Sequence, residues 1–146
     1  MAIKKYYVTV DEEGTTCWYK DAKCTILHRE NGPAVECADG DKFWHQNGQR
    51  HRTDGPAIEW WNGTKEWYQD GLRHRTDGPA VEYATGDKRW YQNGDLQRTD
   101  GPAIEYDSGT KRWYINGDHV TEAEFLAATQ PVVEMTVADV EKLVGK

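Results

Sequence analysis

The sequence predicts a mostly β protein, an antiparallel meander of stacked β-hairpin repeats with one or two short C-terminal helices. Three observations support this fold class. A Gly-Pro pair recurs every 23 residues, each period contains two glycine turn signals, and the segments between turns are rich in Trp, Tyr, Ile and Val, as strands are. A period of this length indicates a repeat architecture in which each unit stacks on the next.

Four repeat units occupy residues 28–120. We expect the tryptophans that recur in one register to form a packed ladder along one side of the sheet. At the Gly-Pro pairs, glycine would tolerate a left-handed backbone and proline would start a strand. The positions interpreted as structural are Trp44, Trp67, Trp90, Trp113, Gly55, Pro56, Gly78 and Pro79.

The first turn of each unit predicts a strand register. If Asn62-Gly63 forms a two-residue loop, Trp61 lies opposite Thr64 and Ile58 lies opposite Trp67. One face of the sheet would then carry β-branched residues against Trp, and the other would carry Ala against Tyr together with Glu–Arg pairs. The same rule predicts the pairs Val81–Trp90, Glu82–Arg89, Ile104–Trp113 and Glu105–Arg112.

The second turn of each unit is an Asn-Gly or Asp-Gly pair, which suits a two-residue turn because both residues take positive φ. In this register His51 lies beside Trp44, His74 lies beside Trp67, and Gln97 replaces the histidine in the fourth unit. The turn pairs are Asn47-Gly48, Asp70-Gly71, Asn93-Gly94 and Asn116-Gly117.

The two ends of the chain depart from the repeat. We interpret residues 1–27 as a degenerate N-terminal capping hairpin and residues 121–146 as a C-terminal helical cap. Thr121 and Glu124 have the spacing of a capping box, and a second helix is predicted from Thr136. We expect the helices to cover the last hairpin or the edge of a partner. The predicted apolar stripe of the second helix is Val137, Val140, Leu143 and Val144.

Composition limits the classes of function. The chain has 146 residues and a net charge of -7, and no basic cluster stands out, so direct binding of nucleic acid through phosphates is not expected. Its three cysteines have no CxxC spacing and are interpreted as free thiols in a reducing compartment. No apolar run reaches the length of a membrane span, so we expect a cytoplasmic protein without membrane contact.

The repeated pattern Gly-x-Lys-x-Trp-Tyr-x-Asn-Gly, followed by His-Arg-x-Asp-Gly-Pro-Ala, resembles the MORN-type β-hairpin repeats. It is closest to their bacterial and phage antitoxin-like relatives, and it departs from MORN units at the Asp-Gly-Pro-Ala insertion and at the Lys. The tail "EMTVADVEKLVGK" is similar to a C-terminal segment of tailed-phage accessory proteins. The resemblance implies stacked hairpins that bind proteins and, for a phage protein, residence in the cytoplasm of an infected bacterial host.

Two sets of repeated side chains are candidates for chemistry. A histidine stripe could bind metal, but its loss in the fourth unit favours packing on Trp: His28, His51 and His74. An aspartate stripe could act in acid–base catalysis, but it lies where turns require Asp: Asp54, Asp77 and Asp100. Catalysis needs an asymmetric constellation, which a repeat does not supply. We therefore predict no enzyme activity, no metal and no cofactor.

The adjacent tryptophans at 60 and 61 must point to opposite faces of a strand, so one of them would be exposed as a contact anchor. With the tyrosines that follow the ladder tryptophans it would form an aromatic binding stripe: Trp61, Tyr68, Tyr91, Tyr114, Arg89 and Arg112. We hypothesise a non-enzymatic protein–protein interaction module whose partner is a host or phage protein, such as a host defence component, or a second copy. The alternative is a binder of a cation or nucleotide between stacked aromatics, as in choline-binding repeats.

Overall fold

The computed structural model describes residues 5–131 and 134–145. Within these ranges, eleven strands pair in one antiparallel sheet that follows chain order, the other six strands form three separate two-stranded hairpins, and two short helices follow. The predicted fold class, a mostly β antiparallel meander, is therefore confirmed. The described residues include no helix that is long and apolar enough to cross a membrane.

The strands are short, most of them two residues long. In chain order they are β1 (Tyr7–Val10), β2 (Thr16–Tyr19), β3 (Val35–Glu36), β4 (Lys42–Phe43), β5 (His45–Gln46), β6 (Gln49–Arg50), β7 (Ile58–Glu59), β8 (Lys65–Glu66), β9 (Tyr68–Gln69), β10 (Leu72–Arg73), β11 (Val81–Glu82), β12 (Lys88–Arg89), β13 (Tyr91–Gln92), β14 (Asp95–Leu96), β15 (Ile104–Glu105), β16 (Lys111–Ile115) and β17 (Asp118–Val120). The main sheet has the order β1-β2-β3-β4-β7-β8-β11-β12-β15-β16-β17, so β1 and β17 are its edges.

The second turn of each unit has the predicted geometry. Asn47 and Gly48 both have positive φ, as do the equivalent pairs in the later units, because a two-residue turn that matches the strand twist requires it. His51 donates its backbone N–H to the carbonyl of Trp44 at 3.1 Å. The prediction that His51 lies beside Trp44 is therefore confirmed, and the same backbone bond joins His74 to Trp67.

The first turn differs from the prediction by one residue. Gly63 has a φ of 92°, whereas Asn62 is not in the left-handed region, so the loop contains Trp61 as well as Asn62-Gly63. Trp60, rather than Trp61, lies opposite Thr64 and donates its N–H to the Thr64 carbonyl at 2.9 Å. This is a three-residue loop that ends in a left-handed glycine, and it replaces the expected two-residue turn.

A shift of one residue exchanges the two faces of the sheet, because side chains alternate along a strand. Ile58 lies opposite Glu66 rather than Trp67, and Glu59 lies opposite Lys65. The predicted pairs Val81–Trp90, Glu82–Arg89, Ile104–Trp113 and Glu105–Arg112 are wrong. The observed pairs are Val81–Arg89, Glu82–Lys88, Ile104–Arg112 and Glu105–Lys111. Glu and Lys therefore alternate across the middle of the sheet on the face that also carries the ladder tryptophans.

The core is made of small and β-branched residues contributed once by each unit. Ala57 and Ile58 are buried, and Tyr68 from the neighbouring hairpin packs with them, flanked by Phe43 and Trp60. Burial of apolar area between successive units stabilises the stack. The other fully or largely buried apolar residues of the sheet are Ala34, Ala80, Val81, Ala103 and Ile104.

The helices begin where the sequence predicts. α1 (Glu122–Thr129) has a capping box between Thr121 and Glu124, and α2 (Val137–Leu143) begins after Thr136. α1 contacts β16, where the buried Phe125 ring lies 4.9 Å from the ring of Trp113, so α1 covers the last hairpin as expected. The predicted apolar stripe of α2 is exposed.

Candidate interaction surface

Three of the four ladder tryptophans are each covered by an arginine from the following unit. The guanidinium carbon of Arg75 lies 3.9 Å from the ring centroid of Trp67, which is cation–π stacking. The same stacking recurs in three other places: Arg29 on Trp18, Arg52 on Trp44 and Arg98 on Trp90, at 3.9–4.0 Å. The tryptophans thus occupy equivalent places on one face, and at Trp113 the ring of Phe125 takes the place of the arginine.

Hydrogen bonds fix the orientation of each of these arginines. Arg75 donates from Nε to Asp77 at 2.8 Å, and from Nη1 to the carbonyl of Pro79 at 3.0 Å and to Glu82 at 2.8 Å. The hydrogen bond and the positive charge of Arg75 lower the pKa of Asp77 below its usual range. The aspartates at 54 and 100 are held in the same way. The aspartate stripe therefore orients arginines.

The Gly-Pro pairs have a different role from the one predicted. Gly55 and Gly78 are not in the left-handed region. A Cβ on Gly78 would lie 2.9 Å from Cζ of Arg75, and the carbonyl of Pro79 accepts from that arginine, as the Pro56 carbonyl does in the preceding unit. These positions are glycine because the guanidinium lies against the backbone.

The histidine stripe orders the turns of neighbouring units. Nδ1 of His51 accepts the backbone N–H of Asp70 at 3.1 Å, and His28 and His74 accept from the equivalent turn residues. Nδ1 of His51 also lies 3.1 Å from Oδ1 of Asp70. Within the described ranges, no group of three or more His, Cys, Asp or Glu side chains is placed to hold a metal ion.

The predicted aromatic stripe is not assembled as one exposed surface. Only 7% of Tyr68 is exposed, its hydroxyl donates to Glu66 at 3.2 Å, and burial is the largest cause of its raised pKa. Tyr91 and Tyr114 are half-buried, and Arg89 lies 5.0 Å from the ring of Tyr83. Arg112 is exposed on β16. The one-residue register shift explains this difference, because it places Tyr68 on the same face as Ile58 and the core.

Trp61 alone of the predicted stripe is an exposed aromatic, with 71% of its surface accessible. It lies in the loop between β7 and β8, and its backbone N–H donates to Oδ1 of Asp41 at 2.7 Å. A Cβ on Gly40 would lie 3.7 Å from Cβ of Trp61, so the loops of successive units are in close contact. A fixed backbone therefore presents the large apolar side chain to solvent.

The loop of Trp61 belongs to a continuous row of loops that connect paired strands at one end of the strands of the main sheet. We call this row the loop row. Side chains that follow the turn glycines join neighbouring loops. Thr64 accepts the N–H of Ala84 at 3.1 Å, and Asp87 accepts the N–H of Asp107 at 2.8 Å. The loop row comprises residues 11–15, 37–41, 60–64, 83–87 and 106–110.

The loop row is acidic. Its five loops contain seven carboxylates and no Lys or Arg: Asp11, Glu12, Glu13, Asp39, Asp41, Asp87 and Asp107. Asp11, Glu12 and Glu13 are adjacent in the sequence, whereas the other four acids are spread over three loops that are separated by strands with both Glu and Lys. The repeat brings the loops together because every unit places one loop at the same end of the strands. Trp61 lies in the one loop of the row that carries no carboxylate, between two loops that do.

Depressions separate successive arginine segments on the tryptophan face. Two of them have volumes of about 780 and 670 Å³, and their walls are polar. The first lies between Arg75 and Arg98 and is lined by Trp90, Gln92 and Asn93. The side chains around it repeat in the preceding unit and include no nucleophile paired with a base.

No protein-family model matches this chain, and a search of curated proteins returned no match to it either. The similarity to MORN-type repeats therefore rests on the repeated motifs, and the β-hairpin meander is the part of that similarity which the structure shows.

Proposed function

We propose that this chain is a non-enzymatic protein-binding module that docks its loop row onto a positively charged surface of another protein. Trp61 is the anchor of the contact, and the carboxylates of the row guide the encounter. Exposed tryptophans at the centre of a contact contribute a large share of binding energy, and complementary charge mainly raises the association rate. Because the tail of the chain resembles a segment of phage accessory proteins, we propose that the partner is a host protein such as a defence component.

The observation that supports this proposal is the exposure of Trp61 on a backbone that is already ordered. Its N–H is held by Asp41, and Thr64 of the same loop holds the next loop in turn. Binding therefore requires little ordering of the loops, and less of the interaction energy is spent on conformational entropy.

A small-ligand binder of the choline-binding kind is less compatible with the tryptophan face. A cation would have to occupy the ring faces that Arg52, Arg75 and Arg98 already cover at 3.9–4.0 Å. Those arginines also bond to Asp and Glu side chains of their own units. Displacement would break several charge-assisted hydrogen bonds at once.

The test is quantitative affinity purification from lysate of a candidate host, followed by direct binding of the recovered protein. Trp61→Ala and the loop variant Asp39→Asn/Asp107→Asn are compared with Leu72→Ala. Leu72 is a matched control because 50% of its surface is exposed in β10, away from the loop row.

We expect one purified partner to bind the wild type and Leu72→Ala equally. Trp61→Ala should weaken its binding by about tenfold to a hundredfold, because loss of an anchor residue costs about 1.5–3 kcal/mol. The Asp→Asn variant should slow association and reduce its dependence on salt. A partner that binds all these variants equally would contradict the proposal, and saturable binding of choline with a change in Trp fluorescence would favour the ligand alternative.

A further inference from the structure

The edge strand β1 presents an unpaired row of backbone groups. Within the described residues, no strand pairs with the outer side of β1. Val8 and Val10 lie on the same face of this strand, and they are 51% and 65% exposed. A four-residue edge strand with exposed valines is a template for pairing with another strand.

The backbone bonds of β2 show which groups of β1 point outward. Val8 lies opposite Trp18 in the sheet. Trp18 donates its N–H to the carbonyl of Ala34 and accepts from the N–H of His28, so its backbone bonds are directed away from β1. Because bonded and non-bonded positions alternate in an antiparallel pair, the N–H and C=O of Val8 and Val10 face the open side.

The sequence of this edge is complementary to itself. When two copies of β1 are paired antiparallel about a two-fold axis at Val8, Tyr6 of each copy lies opposite Val10 of the other. Lys5 then lies opposite Asp11. An aromatic against a β-branched residue and a Lys against an Asp are both favourable cross-strand pairs, and each occurs twice because of the symmetry. Lys5 and Asp11 are exposed in the described chain.

We propose that this chain forms a symmetric dimer in which the β1 strands of two copies pair antiparallel, with Val8 opposite Val8. The dimer joins two eleven-stranded sheets into one continuous sheet. Because the strands of the two copies run in opposite directions, their loop rows lie at opposite strand ends of the joined sheet. Asp11 is the one residue that this register shares with the loop row, and neither Trp61 nor Asp41 takes part in it, so Trp61→Ala should leave the dimer intact.

A second copy fits this edge better than pairing with the other edge of the same protein. β17 is shorter, and it carries Asp118 and His119, with no alternation of apolar residues to match Val8 and Val10. A β1–β17 contact would also be heterologous and would propagate into open filaments, whereas self-pairing of β1 closes after two copies.

Engineered cysteines test the register. In a variant whose natural cysteines at 17, 24 and 37 are replaced by serine, Val8→Cys should form a disulfide-linked dimer, because the two Cα atoms would be about 5.5 Å apart. Val10→Cys is the matched control. It is the more exposed position, but its Cα would lie more than about 13 Å from its symmetry mate. If linkage came from random collision, Val10→Cys would form disulfides at least as fast as Val8→Cys. The proposed register predicts that Val8→Cys links faster.

Charge reversal tests the pairing without a disulfide, by sedimentation velocity across a concentration series. Lys5→Asp should weaken dimerisation by about tenfold, because it places two carboxylates opposite each other at both ends of the pairing. It should have a smaller effect in an Asp11→Asn background, where the amide oxygen can still accept the N–H groups of Glu13 and Thr15 as the carboxylate does. Circular dichroism checks that each variant keeps the fold. Sedimentation of the wild type as a monomer at about 100 μM, equal linkage of the two cysteine variants, or an equal effect of Lys5→Asp with and without Asp11→Asn would each overturn the proposal.

Discussion

A methyl group on Gly78 would lie 2.9 Å from Cζ of Arg75, so the arginine occupies the space that any other residue at position 78 would need. The opposite side of the same guanidinium stacks on Trp67 at 3.9 Å. Each unit of the repeat is thus joined to the preceding one by an arginine held between a tryptophan ring and a glycine backbone. The recurrence of Gly-Pro is explained by this packing rather than by a turn.

This packing predicts that substitutions at Gly78 and Arg75 have non-additive effects on the free energy of unfolding. Gly78→Ala alone should lower the free energy of unfolding by about 1–3 kcal/mol, because the added methyl displaces the guanidinium. In an Arg75→Ala background the methyl meets no guanidinium, so the same change should cost at least about 1 kcal/mol less. Urea denaturation of the wild type, the two single variants and the double variant gives the coupling free energy between positions 75 and 78. Gly63→Ala is the control: it is strained by its φ of 92°, has open space around its Cβ, and should add independently to Arg75→Ala.

Lysine should not replace the stacked arginine. Arg75→Lys keeps the charge but cannot donate in the fork that reaches Asp77, the Pro79 carbonyl and Glu82 together. We expect a loss of about 1–2 kcal/mol in unfolding free energy, measured by urea denaturation. Arg112→Lys, at an exposed position on β16, should change it by less than about 0.5 kcal/mol. Equal effects of the two substitutions would contradict a special role for the stacked guanidinium.

The turns show how much of this fold local sequence determines. Asn47-Gly48 was predictable because both residues tolerate positive φ and the two-residue turn uses both. Asn62-Gly63 carries the same letters, but only the glycine is left-handed, and Trp61 becomes a loop residue. An Asn-Gly pair does not distinguish a two-residue turn from a three-residue loop. The faces of the main sheet were therefore assigned wrongly although the strands were located.

The candidate surface depended even more on long-range contacts. The exposure of Trp61 was predicted, but the burial of Tyr68 was not, because it follows from the register. The acidic loop row could not be found by scanning for charge runs, since Asp41 and Asp87 approach their neighbours only after the units stack. The contact between Arg75 and Trp67 likewise joins two units and has no local signal.

His45 should make stability depend on pH. It occupies the place of Tyr68 in the next unit, and burial, followed by the charge of Arg50, lowers its pKa from the usual 6.5. The unfolded chain therefore takes up the proton first, so stability should fall as the pH drops below about 6.5 and through the lower folded pKa. In His45→Tyr, thermal unfolding between about pH 5 and pH 7 should depend less on pH. His119→Gln, at an exposed position, is the control and should retain the wild-type profile.

The hydrogen bond that joins the loop of Asp41 to the loop of Trp61 should form with Thr in place of Asp at position 41. Asp41 is buried and accepts the N–H of Trp61 at 2.7 Å, and Thr64 performs the same function for Ala84 at 3.1 Å. Asp41→Ala removes the acceptor and should lower the unfolding free energy by about 1–3 kcal/mol, because it leaves the N–H of Trp61 without its partner. Asp41→Thr should recover at least half of that loss, measured by urea denaturation, since the hydroxyl occupies the place that it has in the next unit. If Asp41→Thr is as unstable as Asp41→Ala, the carboxylate has a role beyond accepting this bond, and the equivalence of the Asp and Thr positions in the loop row is contradicted.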